Sequence, residues 1–226
     1  VITEPSAISA SFAVLDATDS TSASGSIDMT VTGGTPCITS MDLPVSLAGG
    51  NGQNGNAFNI TNTSTSDLTI TGFSQGPAFP NASAFGVAME VHHVAADYMG
   101  YTTGSAGWTL VGSATVDLLA NQAAGYIPVS GVVIPAGATH GFYITTTGGQ
   151  TVQYTNGTGT PGVGSWASDA NITVSEGHGC PYPFQFSFFP RNWNGTVHYG
   201  DPNATAYTFA WSTGDTTEDI SVGYGN

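Results

Sequence analysis

Five histidines, two cysteines, one arginine and 15 carboxylates are the side chains of this chain that could carry polar chemistry. His92 and His93 are adjacent, and adjacent side chains of an extended strand point to opposite faces, so the two cannot readily grip one ion. His178-Gly-Cys180 has zinc-binding donor types, but no second Cys/His pair lies at finger spacing. With His140 and His198 isolated in the chain, strand faces and loops suit the histidines better than a metal centre. The carboxylates fall into two groups, Asp16, Asp19 and Asp28 towards one end and Asp215, Glu218 and Asp219 towards the other. Hard oxygen ligands of this kind suit calcium. Asp16, Asp19, Asp215 and Asp219 are the calcium candidates if the two ends fold together. No D-x-D-x-D-G spacing is present, and solvated surface is the alternative.

For catalysis the chain offers no G-x-S-x-G elbow, no H-E-x-x-H and no phosphate-cradling glycine loop ahead of a helix. A pair of carboxylates hydrolyses a glycoside only at a defined separation, which sequence does not give. The chain is therefore read as non-enzymatic, with no cofactor. Binding chemistry is better represented. Arg191 is the only cation and sits in Phe188-Phe-Pro-Arg-Asn-Trp193, where a guanidinium could stack on an aromatic ring or clamp a carboxylate. Trp108, Trp166 and Trp193, with Arg191, are the candidates for contact with a glycan, since indole faces stack on sugar rings. The competing role is core, where most aromatics on alternating strands go.

The elements that must position these groups are strands. Apolar and polar residues alternate at Ala7–Leu15, Gly25–Thr32, Leu43–Leu47, Phe58–Thr63, Leu68–Phe73, Val87–Val94, Trp108–Val116, Tyr126–Ile134 and Gly141–Thr147. Shorter runs follow at Thr151–Tyr154, Asn171–Ser175, Phe184–Phe188 and Thr196–Tyr199, all separated by Gly- and Pro-containing turns. No window sustains a helical period. The spacing predicts an all-β sandwich or jelly roll.

Charge bounds the partners. The formal net charge is −14, with no lysine. No basic footprint exists to meet phosphates, so nucleic acid is excluded as a partner. An anionic membrane surface would repel the chain, and no apolar run is long enough for a spanning helix. Hydrophobic residues at 40 % can support a core, which argues against disorder. Abundant Ser, Thr, Asn and Gly fit a secreted β-rich surface protein. Val1 opens no signal peptide and the last residues stop mid-pattern, so the chain is expected to be an excerpt of a longer polypeptide.

Cys37 and Cys180 bracket most of the middle of the chain. A disulfide between them is expected, as a clasp holding the ends of that stretch together; it would close a loop of about 140 residues, worth roughly 5 kcal/mol at most in the loop-entropy account. Two buried free thiols are the alternative.

One discontinuity organises the reading. Gly25-Ser-Ile-Asp-Met-Thr-Val-Thr-Gly-Gly-Thr-Pro36 is a strand and turn whose partner should follow within a few residues, yet the texture changes at Cys37. A plausible continuation comes only at Ala206-Tyr-Thr-Phe-Ala-Trp-Ser-Thr-Gly214 and Asp215-Thr-Thr-Glu-Asp-Ile-Ser221. Together with Thr3-Glu-Pro5, these two halves resemble a SprB-type repeat, found in tandem in giant surface adhesins of gliding Bacteroidota that are exported by type IX secretion. The resemblance covers about a quarter of the chain. It implies an Ig-like repeat split into residues 1–36 and 204–226, with a jelly-roll-like sandwich inserted at 37–203. The strand Gly25–Thr32 would then lie beside Tyr207–Trp211.

Parts of the insert, Gly49-Gly-Asn-Gly-Gln-Asn-Gly-Asn-Ala-Phe58, Trp108-Thr-Leu-Val-Gly112 and Pro190-Arg-Asn-Trp-Asn-Gly-Thr196 among them, resemble a module of large secreted bacterial surface proteins. The resemblances imply an extracellular, cell-surface role in adhesion or gliding motility. Expected partners are neighbouring repeats of the same polypeptide, a homo-oligomer or filament, and surface polysaccharide. Asp19-Ser20-Thr21 and Asp215-Thr216-Thr217 likewise resemble Bacteroidota O-glycosylation signals, with Ser20 and Thr216 as acceptors. The rival reading is a carbohydrate-binding module on a secreted surface protein.

Overall fold

The structure is a computed structural model and describes residues 9–18, 24–32, 39–201, 211 and 220–222. Its strands are β1 (Ser9–Leu15), β2 (Gly25–Thr32), β3 (Thr39–Pro44), β4 (Gly50–Gln53), β5 (Gly55–Asn62) and β6 (Leu68–Gln75). Next come β7 (Ala84–Val94), β8 (Thr109–Leu118), β9 (Gly125–Ile134), β10 (Thr139–Thr146), β11 (Val152–Asn156) and β12 (Ser165–Ser168). The last are β13 (Ile172–Ser175), β14 (Gly177–Cys180), β15 (Phe188–Trp193), β16 (Gly195–Asp201) and β17 (Ile220–Val222). A single 3₁₀ turn at Tyr98–Tyr101 is the only helical element among the described residues. All ladders are antiparallel, and the fold is an all-β sandwich.

The chain divides into two compact units, Val1–Ile38 with Ala204–Asn226, and Thr39–Asn203. In the smaller unit β1-β2-β17 form a three-stranded sheet. Strand β17 pairs with β2 through Ile220↔Ile27 and Val222↔Gly25, although the whole larger unit separates them in sequence. Both β1 and β17 run antiparallel to β2 and so parallel to each other. Phe12 meets the edge of Trp211 at 6.4 Å. The rest of the strand expected at Tyr207–Trp211 lies outside the described residues.

The larger unit packs a ten-stranded sheet (path β4-β11-β15-β14-β5-β10-β7-β8, with β12 and β13 alongside β5) over a four-stranded sheet, β3-β16-β6-β9. Period-2 alternation sends Phe58, Ile60, Val91, Phe142 and Ile144 inward from one sheet, and Leu43, Ile70, Phe73, Val197 and Tyr199 inward from the other. Trp193 closes the centre. It stacks on Phe58 at 5.1 Å, meets Phe73 edge-on at 5.6 Å, and its indole Nε1 donates to the buried Gln75 Oε1 at 2.9 Å.

Against β16 the ladder slips at Thr71, since His198 faces Gly72 while its neighbour Tyr199 faces Ile70. One extra residue in β6 therefore turns Ile70 and Phe73 both to the core and leaves Ser74 on the outer face. The unit's first and last strands, β3 and β16, are direct neighbours, with Thr39 opposite Asp201. Its two chain ends thus leave side by side, as insertion into another domain requires.

Four segments differ from the sequence expectations, one of them β12, which pairs with β13 where no strand is expected. The expected strand Phe184–Phe188 is a turn and loop over 181–187, with Phe184 at φ 52°, and the strand proper begins at Phe188. The glycine-rich stretch 48–54, where no strand is expected, contains β4, which runs along β11. Strand β14 was not expected. Its Gly177 lies against the Ala57 carbonyl, where any Cβ would collide, so glycine here marks close strand approach rather than a turn.

Candidate functional site

The residues named from sequence do not converge. Trp193 is fully buried in the sandwich core and offers no face to a sugar, which corrects its place among the glycan contacts. Trp166 is half-buried against the same core and its Nε1 donates to the Trp193 carbonyl at 2.9 Å. Arg191 sits over the Tyr154 ring at 5.8 Å, and its Nη1 donates to the Pro190 carbonyl at 2.7 Å. Among the described residues no carboxylate pairs with this guanidinium, and its Nε has no partner. Asp16 is exposed, while Asp19, Asp215, Asp219, Ser20 and Thr216 lie outside the described residues. No three metal-ligating side chains gather among the described residues. Cys180 is a free, fully buried thiol, and burial pushes its pKa up. Its expected disulfide partner, Cys37, lies outside the described residues.

Trp108 belongs to a second, smaller apolar cluster on the outer face of the ten-stranded sheet. Strands β7, β10 and β14 set down His92, Tyr143 and His178 there, and the 181–187 loop lays Phe184 and Phe186 across them. Trp108 stacks on Phe186 at 6.0 Å, and Tyr143 contacts Phe184 at 5.0 Å. Beneath, the buried Tyr98 hydroxyl donates to His178 Nδ1 at 2.8 Å. Burial lowers the His178 pKa and raises that of Tyr98, which keeps the acceptor and the donor neutral. At the margin Phe188 and Phe189 are 41 % and 62 % exposed, and the Phe189 ring lies 5.2 Å from His178. The result is an aromatic face that is packed from below and open at its rim.

Two polar groupings stand apart from it. His93 Nε2 and His140 Nδ1 are 2.9 Å apart beside Phe142. Burial, followed by the like charge of His140, pushes His93 down to about 4, and burial lowers His140 as well. Glu176, itself buried, accepts from the backbone N–H groups of Thr158 and Gly159 at 3.1 and 2.6 Å and so ties down the glycine-rich 157–164 loop.

The constellation with the most defined chemistry escaped the sequence reading. On the outer face of the four-stranded sheet, Asp42 of β3 lies directly opposite His198 of β16, and Ser74 of β6 lies diagonally beyond. Asp42 Oδ1 is 2.7 Å from His198 Nδ1, and His198 Nε2 is 2.8 Å from Ser74 Oγ. The Tyr126 ring from β9 meets the imidazole edge-on at 5.3 Å. Only strand register brings these three residues together, so no local motif could have announced them.

In comparisons with family models, curated proteins and solved structures, nothing matches this chain.

Proposed function

We propose that this chain is a segment of a secreted cell-surface adhesin or filament, in which the smaller unit is a stalk element and the larger unit a lateral contact module. The observation that carries the reading is the splice. Strand β17 returns to β2 after the larger unit, whose own ends leave on neighbouring strands β3 and β16. A load entering ahead of β1 and leaving after β17 acts along strands on both sides of β2, so hydrogen bonds are sheared together rather than opened one by one. The inserted unit stays outside that path while the β2–β17 ladder holds. The resemblance to SprB-type repeats, the scarcity of cations and the low total charge of 7 % agree with an extracellular repeat protein joined to neighbouring repeats.

A second reading, carbohydrate binding, is favoured by the aromatic face, where exposed Phe188 and Phe189 adjoin Trp108 and Phe186 through His178. One experiment bears on both. Beads coated with the chain are retained under flow on surface polysaccharide, and F188S/F189S beads are released sooner if the aromatic face makes the contact. Retention of the parent that the double variant keeps in full places the contact elsewhere on the adhesin. Parent beads that leave as fast as uncoated ones defeat the contact role.

A further inference from the structure

The geometry points to Ser74 as an activated nucleophile, with His198 as its general base and Asp42 as the residue that positions the base. The inference goes beyond the contact role proposed above and does not depend on it.

The tautomer follows from the donors and acceptors. An ionised Asp42 carboxylate only accepts, so the proton of neutral His198 belongs on Nδ1, facing Oδ1 at 2.7 Å. Nε2 is then a bare acceptor 2.8 Å from Ser74 Oγ, and the hydroxyl donates to it. A nucleophile hydrogen-bonded to a base, which a third group orients, is the arrangement that activates serine for acyl transfer on unrelated folds. The groups facing His198 are Asp42 from β3, Ser74 from β6 and Tyr126 from β9. Gly72 leaves room for the Tyr126 ring, since a Cβ there would lie 2.6 Å from its Cε2.

The surroundings also define the substrate class. Ser74 is 7 % exposed, so only a small acyl group on an activated carboxylic ester can reach Oγ. Ser74 is paired with Thr196 on one side and Tyr126 on the other, and its backbone is committed to those ladders. An oxyanion hole built on its own N–H is therefore missing, and a single such donor is worth about 10²–10³ in rate. The chemistry suited to this site is slow acylation of serine by an activated ester, with amides untouched.

The step balances without an added reactant. Oγ attacks the ester carbonyl carbon while its proton passes to Nε2. The adduct collapses, the carbon–oxygen bond to the alcohol breaks, and His198 returns the proton to the departing oxygen. Acyl-Ser74 and the free alcohol remain. Water, deprotonated by the same imidazole, later releases the carboxylic acid and restores the serine.

The test uses p-nitrophenyl acetate on the intact chain, followed by peptide mass mapping. One acetyl group should accumulate on Ser74, and S74A and H198Q should abolish it. D42N keeps the shape but donates to Nδ1, which reverses the tautomer and turns an Nε2–H towards serine. In a buried triad that change costs about 10⁴. With the Asp42 side chain 57 % exposed, water competes, and a loss of at least tenfold with a flattened pH profile is expected. D42N alters an exposed side chain and leaves the sandwich core intact, so it remains informative if H198Q melts early. Absence of acetyl-Ser74 overturns the assignment, as does acetylation spread evenly over surface hydroxyls. Ser74 labelling that D42N leaves unchanged overturns the role given to Asp42.

Discussion

Replacing Trp193 with phenylalanine tests whether this indole is the tie between the two sheets. The side chain is fully buried between Phe58 and Phe73, and its Nε1 donates to Gln75 Oε1, which is also fully buried. Phenylalanine keeps one ring and removes the donor. Leaving a buried acceptor unpaired costs about 1–3 kcal/mol, and the smaller ring leaves a void that adds roughly 1 kcal/mol. A loss of about 2–4 kcal/mol lowers the melting temperature of a domain this size by roughly 4–16 °C. Alanine would cost about 3–5 kcal/mol for the lost packing alone, close to the whole stability of a marginal domain, so phenylalanine is the more informative change. The assay is urea unfolding followed by far-ultraviolet circular dichroism, with the W193F/Q75L pair completing a double-mutant cycle. Because the leucine removes the stranded acceptor, the double variant should lose less than the sum of the singles. A W193F shift below about 0.5 kcal/mol, the range of ordinary surface changes, would refute the reasoning.

Acid should destabilise the larger unit. His93 is pushed from 6.5 in the unfolded chain to about 4 in the folded one, so stability is full above pH 6.5 and falls as the unfolded state takes up protons between pH 6.5 and 4. The site is only half-buried, so solvent screening reduces the loss to the order of 1–2 kcal/mol. H93Q should flatten this part of the stability profile, and an unchanged profile would contradict the assignment. E176Q should loosen the 157–164 loop, because the amide keeps one acceptor oxygen and turns its NH₂ group towards the N–H of either Thr158 or Gly159, which bond different oxygens of Glu176. Hydrogen exchange at one of those two amides should accelerate at least tenfold while β5 and β10 stay protected. Cys180 should resist thiol reagents in the native chain at neutral pH and react once urea exposes it.

The strands were legible wherever one face meets the core and the other meets solvent. Alternation at Leu68, Ile70 and at Val87, Met89, Val91 marks β6 and β7 without help from structure. It fails where backbone approaches backbone. Gly177 and Gly179 of β14 look like turn residues, yet they allow close contact with Ala57 and Tyr154. Aromatic residues were legible as a class but not by address. Trp108 and Trp193 have the same period and chemistry, and only sheet packing sends one to the outer face and the other to the core. The Asp42–His198–Ser74 set was invisible because its members lie on three strands, and because the slip between Ile70 and Gly72 decides which face Ser74 occupies.

In the proposed adhesin segment the smaller unit bears the load and the larger one is carried outside it. Single-molecule pulling on the intact chain, held at its two ends, tests this most directly. Rupture of the β2–β17 ladder should always come first. A second event should follow as β3 and β16 unzip from Thr39 and Asp201, adding about 165 residues of chain or roughly 590 Å at about 3.6 Å per residue. Extension of the larger unit before the smaller one has ruptured would contradict the account.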